Sequence, residues 1–310
     1  MTTAAPILIA GPTASGKSAF ALALAERVGG TIVNADAMQV YRELRVLTAR
    51  PSEADEQRVP HLLYGHVPGA QAYSAARYAA EASAAIAEVQ GGGRVPIVVG
   101  GTGLYFRALT EGLSPIPPIP ADIRIRWRTL ASEIGPAALH ALLAARDPEM
   151  AARLRPTDPQ RLVRALEVLE ATGRSLARWQ EEPGTPFVRV EEGRAFVVMP
   201  ERAELRRRCD ARFDLMMAGG AVEEVEQLMQ LDLDPERPVM RALGVRPLAD
   251  LVAGRIGQAQ AAEEAKAATR QYAKRQITWL SRIMSSWNWI DTKEMEIYAA
   301  EFDDFDAHPA

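Results

Sequence analysis

Eight residues near the start constrain this chain more than anything else in it. Gly11-Pro12-Thr13-Ala14-Ser15-Gly16-Lys17-Ser18 fits the spacing G-x-x-x-x-G-K-[ST], between the apolar run Ile7-Leu8-Ile9-Ala10 and a stretch, 18–28, with alanines and leucines at helical spacing. Strand, glycine loop and helix in that order turn consecutive backbone N–H groups inward at a helix N-terminus, where they hold a polyphosphate. Lys17 adds a mobile positive charge, and the Ser18 hydroxyl is a candidate ligand for Mg²⁺. The pattern fixes a phosphate cradle without fixing a reaction.

The rest of the chain reads as a parallel sheet with an insertion. Gly29-Gly30 stop the first helix, and the β-rich run 31–36 completes a βαβ unit. The alanine-rich stretch 74–90 predicts a helix closed by three glycines, and 95–99 predicts a buried strand ending in Gly100-Gly101. Four prolines then fall between Ser114 and Pro120, after which the periodicity is helical through 122–145 and 159–180. These features predict an α/β core, 1–117 with 195–292, around an all-helical insertion, 118–194. The strand 195–199 returns the chain to the sheet, helices follow over 203–231 and 258–286, and 293–310 reads as a flexible acidic tail.

With 48% hydrophobic and 25% charged residues the composition is that of a globular protein able to bury a core. No apolar run is long enough to span a membrane, and the start has neither a basic region nor a small-residue cleavage site, so no signal peptide is read. A single cysteine, Cys209, fits a reducing compartment, which makes the cytoplasm the expectation. The net charge of −4 conceals an asymmetry: residues 293–310 set one lysine against six carboxylates, a net −5, so the remainder is +1. Within it, 241–282 sets eight basic residues against three acidic ones, so an RNA partner is not excluded.

Of the carboxylates, only Asp36 sits where a strand tip meets the ligand crevice, as a metal ligand, a general base or an Asx cap. Gly100-Gly101-Thr102-Gly103 ends another strand, either as a turn or as a place where the Thr102 hydroxyl meets a ligand. Arg206-Arg207-Arg208 begin a helix after the strand 195–199, where one of them either reaches a diphosphate or, as is commoner, stays solvated on the surface. The histidines have no metal-binding spacing. On these features alone a phosphoryl-transfer kinase and a nucleotide-dependent RNA-binding switch are both open, although the second strand-end carboxylate that the switch should carry is not visible.

The combined motifs resemble the tRNA dimethylallyltransferase family of the bacterial type. The resemblance rests on 11–18, Asn34-Ala35-Asp36-Ala37-Met38-Gln39-Val40-Tyr41, Thr48-Ala49-Arg50-Pro51, Gln71-Ala72-Tyr73-Ser74, 99–106, Asp158 to Glu167, Gly244 with Arg246, and Thr269 to Leu280. It implies a P-loop NTPase-like fold and transfer of a dimethylallyl group from dimethylallyl diphosphate to N6 of the adenosine 3′ to the anticodon, in tRNAs reading codons that begin with U. An adenylate isopentenyltransferase is the near alternative. By the same resemblance Asp36 is the general base, Thr13 the hydroxyl near the leaving group's bridging oxygen, and Lys17 a third catalytic group. The loop from Gly11 to Ser18, with Arg208, holds the diphosphate, and Ser18 the Mg²⁺. The tRNA contacts implied are Asp36, Ala37, Met38 and Gln39, then Thr102 and Arg124, then Gln160, Arg161, Leu162, Val163 and Arg164 in the insertion, then Arg241, Ala242, Leu243, Gly244, Val245 and Arg246. A monomer is implied. Ala37 stands where the family pattern has serine, and Arg50 where it has lysine.

Overall fold

The computed structural model of the chain describes residues 4–190, 193–300 and 302. Two compact units emerge, Met1–Thr110 with Phe187–Ala310, and Glu111–Pro186. The first unit begins with β1 (Ile7–Ala10), α1 (Lys17–Arg27), β2 (Thr31–Asn34), α2 (Glu53–Arg58), β3 (His61–Leu62), α3 (Ala75–Gly91), β4 (Pro96–Gly100) and α4 (Gly103–Thr110). The second unit holds α5 (Ala121–Arg146), α6 (Pro148–Arg153), α7 (Pro159–Thr172) and α8 (Leu176–Trp179). The first unit resumes with β5 (Ala195–Val198), α9 (Arg202–Ala218), α10 (Ala221–Gln230), a 3₁₀ turn at Pro238–Arg241, α11 (Val245–Val252), α12 (Gln258–Ile283), β6 (Asn288–Ile290) and α13 (Met295–Ala300).

The six strands form one parallel sheet in the order β3-β2-β4-β1-β5-β6, a P-loop NTPase-like core. Its strands read as continuous apolar runs because both faces are covered. Leu8, Val33, Val98 and Val197 lie on one face, under Tyr78 and Ile86 of α3, Phe106 of α4 and Leu280 of α12. Ile9, Ile32, Ile97 and Phe196 lie on the other, under Phe20 and Leu24 of α1 and Ala299 of α13. β1 is central: Ala10 pairs with Gly100 of β4 and Val197 of β5, so the loop after β1 opens at the carboxyl edge of the sheet, where α/β folds bind ligands.

In the second unit Trp127, Leu139 and Leu143 of α5 pack with Leu162 and Leu166 of α7. The Trp127 indole N–H donates to Glu170 at 2.9 Å, which keeps its one polar atom satisfied. Chain entry and exit run side by side within this unit, since a Cβ on Gly112 would lie 2.5 Å from the Thr185 backbone.

Several boundaries differ from the sequence reading. The unit runs Glu111–Pro186 rather than 118–194, because the Phe187 and Val188 N–H groups already bond to the Leu109 carbonyl, and Val188 is buried against the sheet. The helical stretches read over 159–180 and 203–231 are each two helices, broken at Gly173 (φ 68°) and at Gly219-Gly220 (φ 97° at Gly220), and α5 kinks at Gly135. The segment read as a flexible acidic tail forms α13, with Ala299 and Phe302 buried beside α1; residue 301 and 303–310 lie outside the described residues.

Gly100 offers a direct stability test, since a Cβ there would sit 2.1 Å from the Ala35 carbonyl oxygen. Gly100→Ala should lower stability by about 1–3 kcal/mol, the scale of overpacking a tight site. Gly91→Ala, with nothing within 4 Å, should not. Denaturant midpoints of the two variants check this, and equal midpoints would refute the close approach.

Candidate active site

The loop after β1 closes on itself. The Ser15 N–H donates to the Pro12 carbonyl at 3.2 Å, Ala14 and Gly16 take the left-handed conformation (φ 63° and 95°), and the fully buried Ser15 hydroxyl accepts the Lys17 N–H at 3.4 Å. Gly11 has no room for a side chain, since a Cβ would lie 2.8 Å from the Val198 carbonyl of β5. The Lys17 ammonium donates to the Pro12 carbonyl at 3.1 Å across the loop. Burial brings its pKa down to about 8; the Asp36 carboxylate raises it against this, and the Arg212 guanidinium lowers it further.

Asp36 lies just beyond β2. Its N–H donates to the Asn34 side-chain carbonyl at 2.8 Å, and its Oδ1 accepts the Met38 N–H at 2.9 Å. Asp36 thus makes an Asx turn rather than capping a helix, since the next helix, α2, starts at Glu53 with Ser52 as its cap, and the turn engages Oδ1. Thr102 is held beside it: the Thr102 N–H donates to the Ala35 carbonyl at 3.2 Å, and its hydroxyl oxygen accepts the Ala37 N–H at 2.9 Å. The glycines around Thr102 make room for protein rather than for a ligand, since Cβ atoms at Gly101 and Gly103 would lie 2.3 Å from the Gln276 amide and 2.0 Å from the Trp279 ring.

Thr13 and Asp36 line one cavity of about 240 Å³. Arg212, Tyr272 and Arg275 add polar groups, and Leu47, Phe213, Met216 and Leu243 give apolar wall. Cys209, Arg212, Phe213 and Met216 follow at i, i+3, i+4 and i+7, so one face of α9 supplies much of this lining. Arg212 donates to the Thr13 hydroxyl, and burial lowers its pKa, opposed by Cys209 and Asp36. Burial also raises the Tyr272 phenol, as does Asp36. Sequence reasoning missed Arg212, Phe213, Met216, Tyr272 and Arg275; the helical spacing of the α9 group is the signal that could have found it.

Arg208 lies at the rim, with Nη1 3.5 Å from the Ser15 carbonyl and Nε on Glu204 at 2.6 Å. Arg207 pairs outward with Glu204, so Arg208 is the member of its triplet that meets the loop. Ser18 is exposed. The Gln39 amide is spent on the Thr48 and Ala49 carbonyls at 2.9 and 2.8 Å. Met38 is partly buried against the cluster around Val40, and Leu243 and Arg241 line the cavity. Arg246 lines a neighbouring cleft with Gly244, whose φ is 89°. The side chains of Val245 and Leu162 are buried in the cores of the first and second units, each on the inward face of its helix, whereas Ala242, also largely buried, lines both the cavity and the neighbouring cleft. Leu162 and Val245 therefore present no side-chain surface, and Val163 is partly buried beside Leu162. Arg124, Gln160 and Arg161 are exposed; Arg161 pairs with Asp158 at 3.3 Å, and Arg164 with Glu167 at 3.6 Å.

An IPP transferase family model matches residues 39–283, and an isopentenyl transferase model matches 5–63. The tRNA dimethylallyltransferase of Parvibaculum lavamentivorans is 54% identical over 295 residues, covering 95% of this chain and 93% of the relative. That of Azorhizobium caulinodans is 53% identical, covering 91% and 90%. Among solved structures, the tRNA isopentenylpyrophosphate transferase of Bacillus halodurans aligns with a TM-score of 0.65 at 29% identity over 98% of this chain and 99% of that one. A eukaryotic dimethylallyltransferase acting on tRNA aligns at 0.81 and 25% identity, over 98% and 80%.

The depressed Lys17 value has a sign that can be measured. Between about pH 8 and the ordinary lysine value of 10.5 the folded chain binds fewer protons here than the unfolded one, so this group's contribution to stability rises with pH across that window. An anion in the loop favours the ammonium and reverses the shift. Inorganic diphosphate should therefore take up protons on binding at about pH 8.5 and, through Lys17, hardly any at about pH 6.5. Calorimetry in buffers of different ionisation enthalpy checks this; uptake at the higher pH that survives in Lys17→Met would assign it elsewhere.

Proposed function

Since the chain belongs to the tRNA dimethylallyltransferase family, it is a prenyltransferase that modifies tRNA, and we infer from the site how the transfer proceeds. One observation carries the reading: a single cavity joins the phosphate-loop residue Thr13 to the strand-tip carboxylate Asp36, with the Arg212 guanidinium on Thr13 and an apolar wall beyond. Such a space suits a donor with an anionic head and a short hydrocarbon tail, which is dimethylallyl diphosphate.

In the proposed reaction the lone pair of adenosine N6 forms a bond to the allylic carbon. The carbon–oxygen bond breaks, its electron pair leaves with diphosphate, and the N6 proton passes to Asp36. Lys17, Arg212, the loop N–H groups and the Thr13 hydroxyl face the charge that develops on the leaving oxygens. The free oxygen of Asp36 takes the proton while Oδ1 stays on the Met38 N–H. Thr102, on the Ala37 N–H, fixes the edge against which the adenine sits once out of its stack. The acceptor proposed is the adenosine 3′ to the anticodon in tRNAs reading codons that begin with U.

Among the described residues no three His, Cys, Asp or Glu side chains converge on a metal position. A magnesium ion needs no such cluster, because it keeps several waters and takes phosphate oxygens, so the Ser18 hydroxyl at the head of α1 fits it. When bound there it would neutralise part of the diphosphate charge. For tRNA we propose Gln160, Arg161 and Arg164, with Arg124, on the second unit, and Arg241 and Arg246 on the first. No helix among the described residues is long and apolar enough to cross a membrane. The enzyme proposed is cytoplasmic and monomeric, a setting that the lone reduced Cys209 supports.

Asp36→Asn should leave tRNA binding largely intact and lower the single-turnover rate by roughly 10²–10⁴-fold, the scale for a general base. Asparagine retains the acceptor for the Met38 N–H, so the turn survives. A rate within about twofold of wild type would remove Asp36 from the chemistry.

Arg161→Ala with Arg164→Ala should weaken tRNA and flatten the slope of log affinity against log salt by about 0.7–0.9 for each phosphate no longer neutralised. Use of the donor at saturating tRNA should stay near wild type. An unchanged slope and affinity would take both residues out of the interface. Turnover should also proceed without ATP, and tRNA-dependent phosphate release from ATP matching turnover would contradict the proposed donor.

A further inference from the structure

Gln276 has no place in the chemistry above, yet its side chain is only 6% exposed and both ends of its amide are engaged. Its Oε1 accepts the Thr13 N–H at 2.9 Å, and its Nε2 donates to the Gly101 carbonyl at 2.9 Å. We propose that Gln276 is a positioning residue for the transfer, setting the spacing between the phosphate loop and the loop that carries Thr102. The proposal rests on the roles assigned to Thr13 and Asp36.

The two bonds end on opposite sides of the reaction. On one side Thr13 is fixed at three atoms: its N–H by Gln276, its hydroxyl by Arg212, and its carbonyl by the Cys209 thiol at 3.9 Å. On the other side Gly101 precedes Thr102, whose hydroxyl oxygen holds the Ala37 N–H next to Asp36. One side chain of α12 therefore links the residue that faces the leaving group to the segment that faces the proton acceptor. An amide supplies an acceptor to an N–H and a donor to a carbonyl from its two ends without depending on pH, which a carboxyl does only when protonated. Gly101 is held against it, for a Cβ there would lie 2.3 Å from Nε2. The Gln276 contact also withholds the Thr13 N–H from the ligand, so the backbone N–H groups that meet the diphosphate lie beyond Thr13. Displacement of reacting groups by about an ångström costs on the order of a hundredfold in rate, which is why such a brace matters.

Three variants test the assignment. Gln276→Met keeps the volume and removes both bonds; Gly101→Ala pushes the amide away from the opposite side; Gln276→Glu keeps the acceptor for Thr13 and sets a carboxylate against the Gly101 carbonyl. For the first two, the single-turnover rate at saturating donor and tRNA should fall about 10–100-fold, while the affinities for tRNA and for inorganic diphosphate change by less than about threefold. For Gln276→Glu, the rate relative to wild type should climb as the pH falls, because the protonated carboxyl donates to Gly101 as the amide did. Rates within about twofold of wild type, affinities that fall together with the rate, or a flat pH ratio for Gln276→Glu would each overturn the proposal. Should either position-276 variant fail to fold by circular dichroism, Gly101→Ala decides alone, since its Gln276 is intact. A wild-type Asp36→Asn rate would instead strike at the underlying reading while leaving these three outcomes to stand or fall separately.

Discussion

Everything in this site answers to the charge of a diphosphate. Backbone N–H groups can meet that charge only if the loop carrying them keeps its turned conformation, and cations can add to it only if they stay near without neutralising one another. The chain meets the second condition by setting Lys17 and Arg212 in one neighbourhood with Asp36. Burial and the Arg212 charge both depress the Lys17 ammonium, and Asp36 opposes them. Two cations and one carboxylate in partly buried surroundings leave a local positive surplus, which a bound anion relieves. The mutual repulsion of these cations and their readiness for an anion are one property, as preorganised electrostatic sites require.

The first condition is met by packing. Ala14 of the loop sits against Leu205, Cys209 and Ala273, Gly11 against β5, and Thr13 against Gln276, so α9, α12 and β5 all hold the loop from behind. These supports come from residues nearly two hundred or more positions later in the chain. The phosphate loop is thus local in sequence and non-local in what keeps its shape.

That division explains what the sequence could reveal. The loop, its strand and its helix are contiguous, and their pattern is legible at a glance; so are the buried strands, whose apolar runs follow from coverage on both faces. Two strands escape such reading: β3 is His61-Leu62 and β6 is Asn288-Trp289-Ile290, edge strands too short to show a period. Arg212 escapes a reading that stops at the Arg206-Arg207-Arg208 triplet, because its inward turn shows only when its spacing to Cys209, Phe213 and Met216 is followed along α9. Leu162 and Val245 show the converse in their buried side chains. They share segments with exposed arginines, and membership of a segment is no measure of a side chain's exposure. The glycines of 100–103 are legible as tight spots, but what presses on them is Ala35, Gln276 and Trp279.

The same distinction between segment and side chain bears on how a chain of net charge −4 meets RNA. Many arginines here carry a carboxylate partner: Arg161 has Asp158, Arg164 and Arg128 share Glu167, and Arg270 has Asp210. The pair of Arg161 with Asp158 is exposed and contributes about 0–1 kcal/mol, so exchanging that carboxylate for a phosphate sacrifices little, whereas Glu167 is buried and keeps one of its two arginines when the other turns to a phosphate. The partner meanwhile restrains a long side chain that would otherwise have to be ordered on binding. Pairing lowers the net charge, and with it non-specific attraction to any polyanion. On the reading proposed for the second unit, its carboxylates do not oppose RNA; they hold arginines in place until a phosphate of the right shape displaces them.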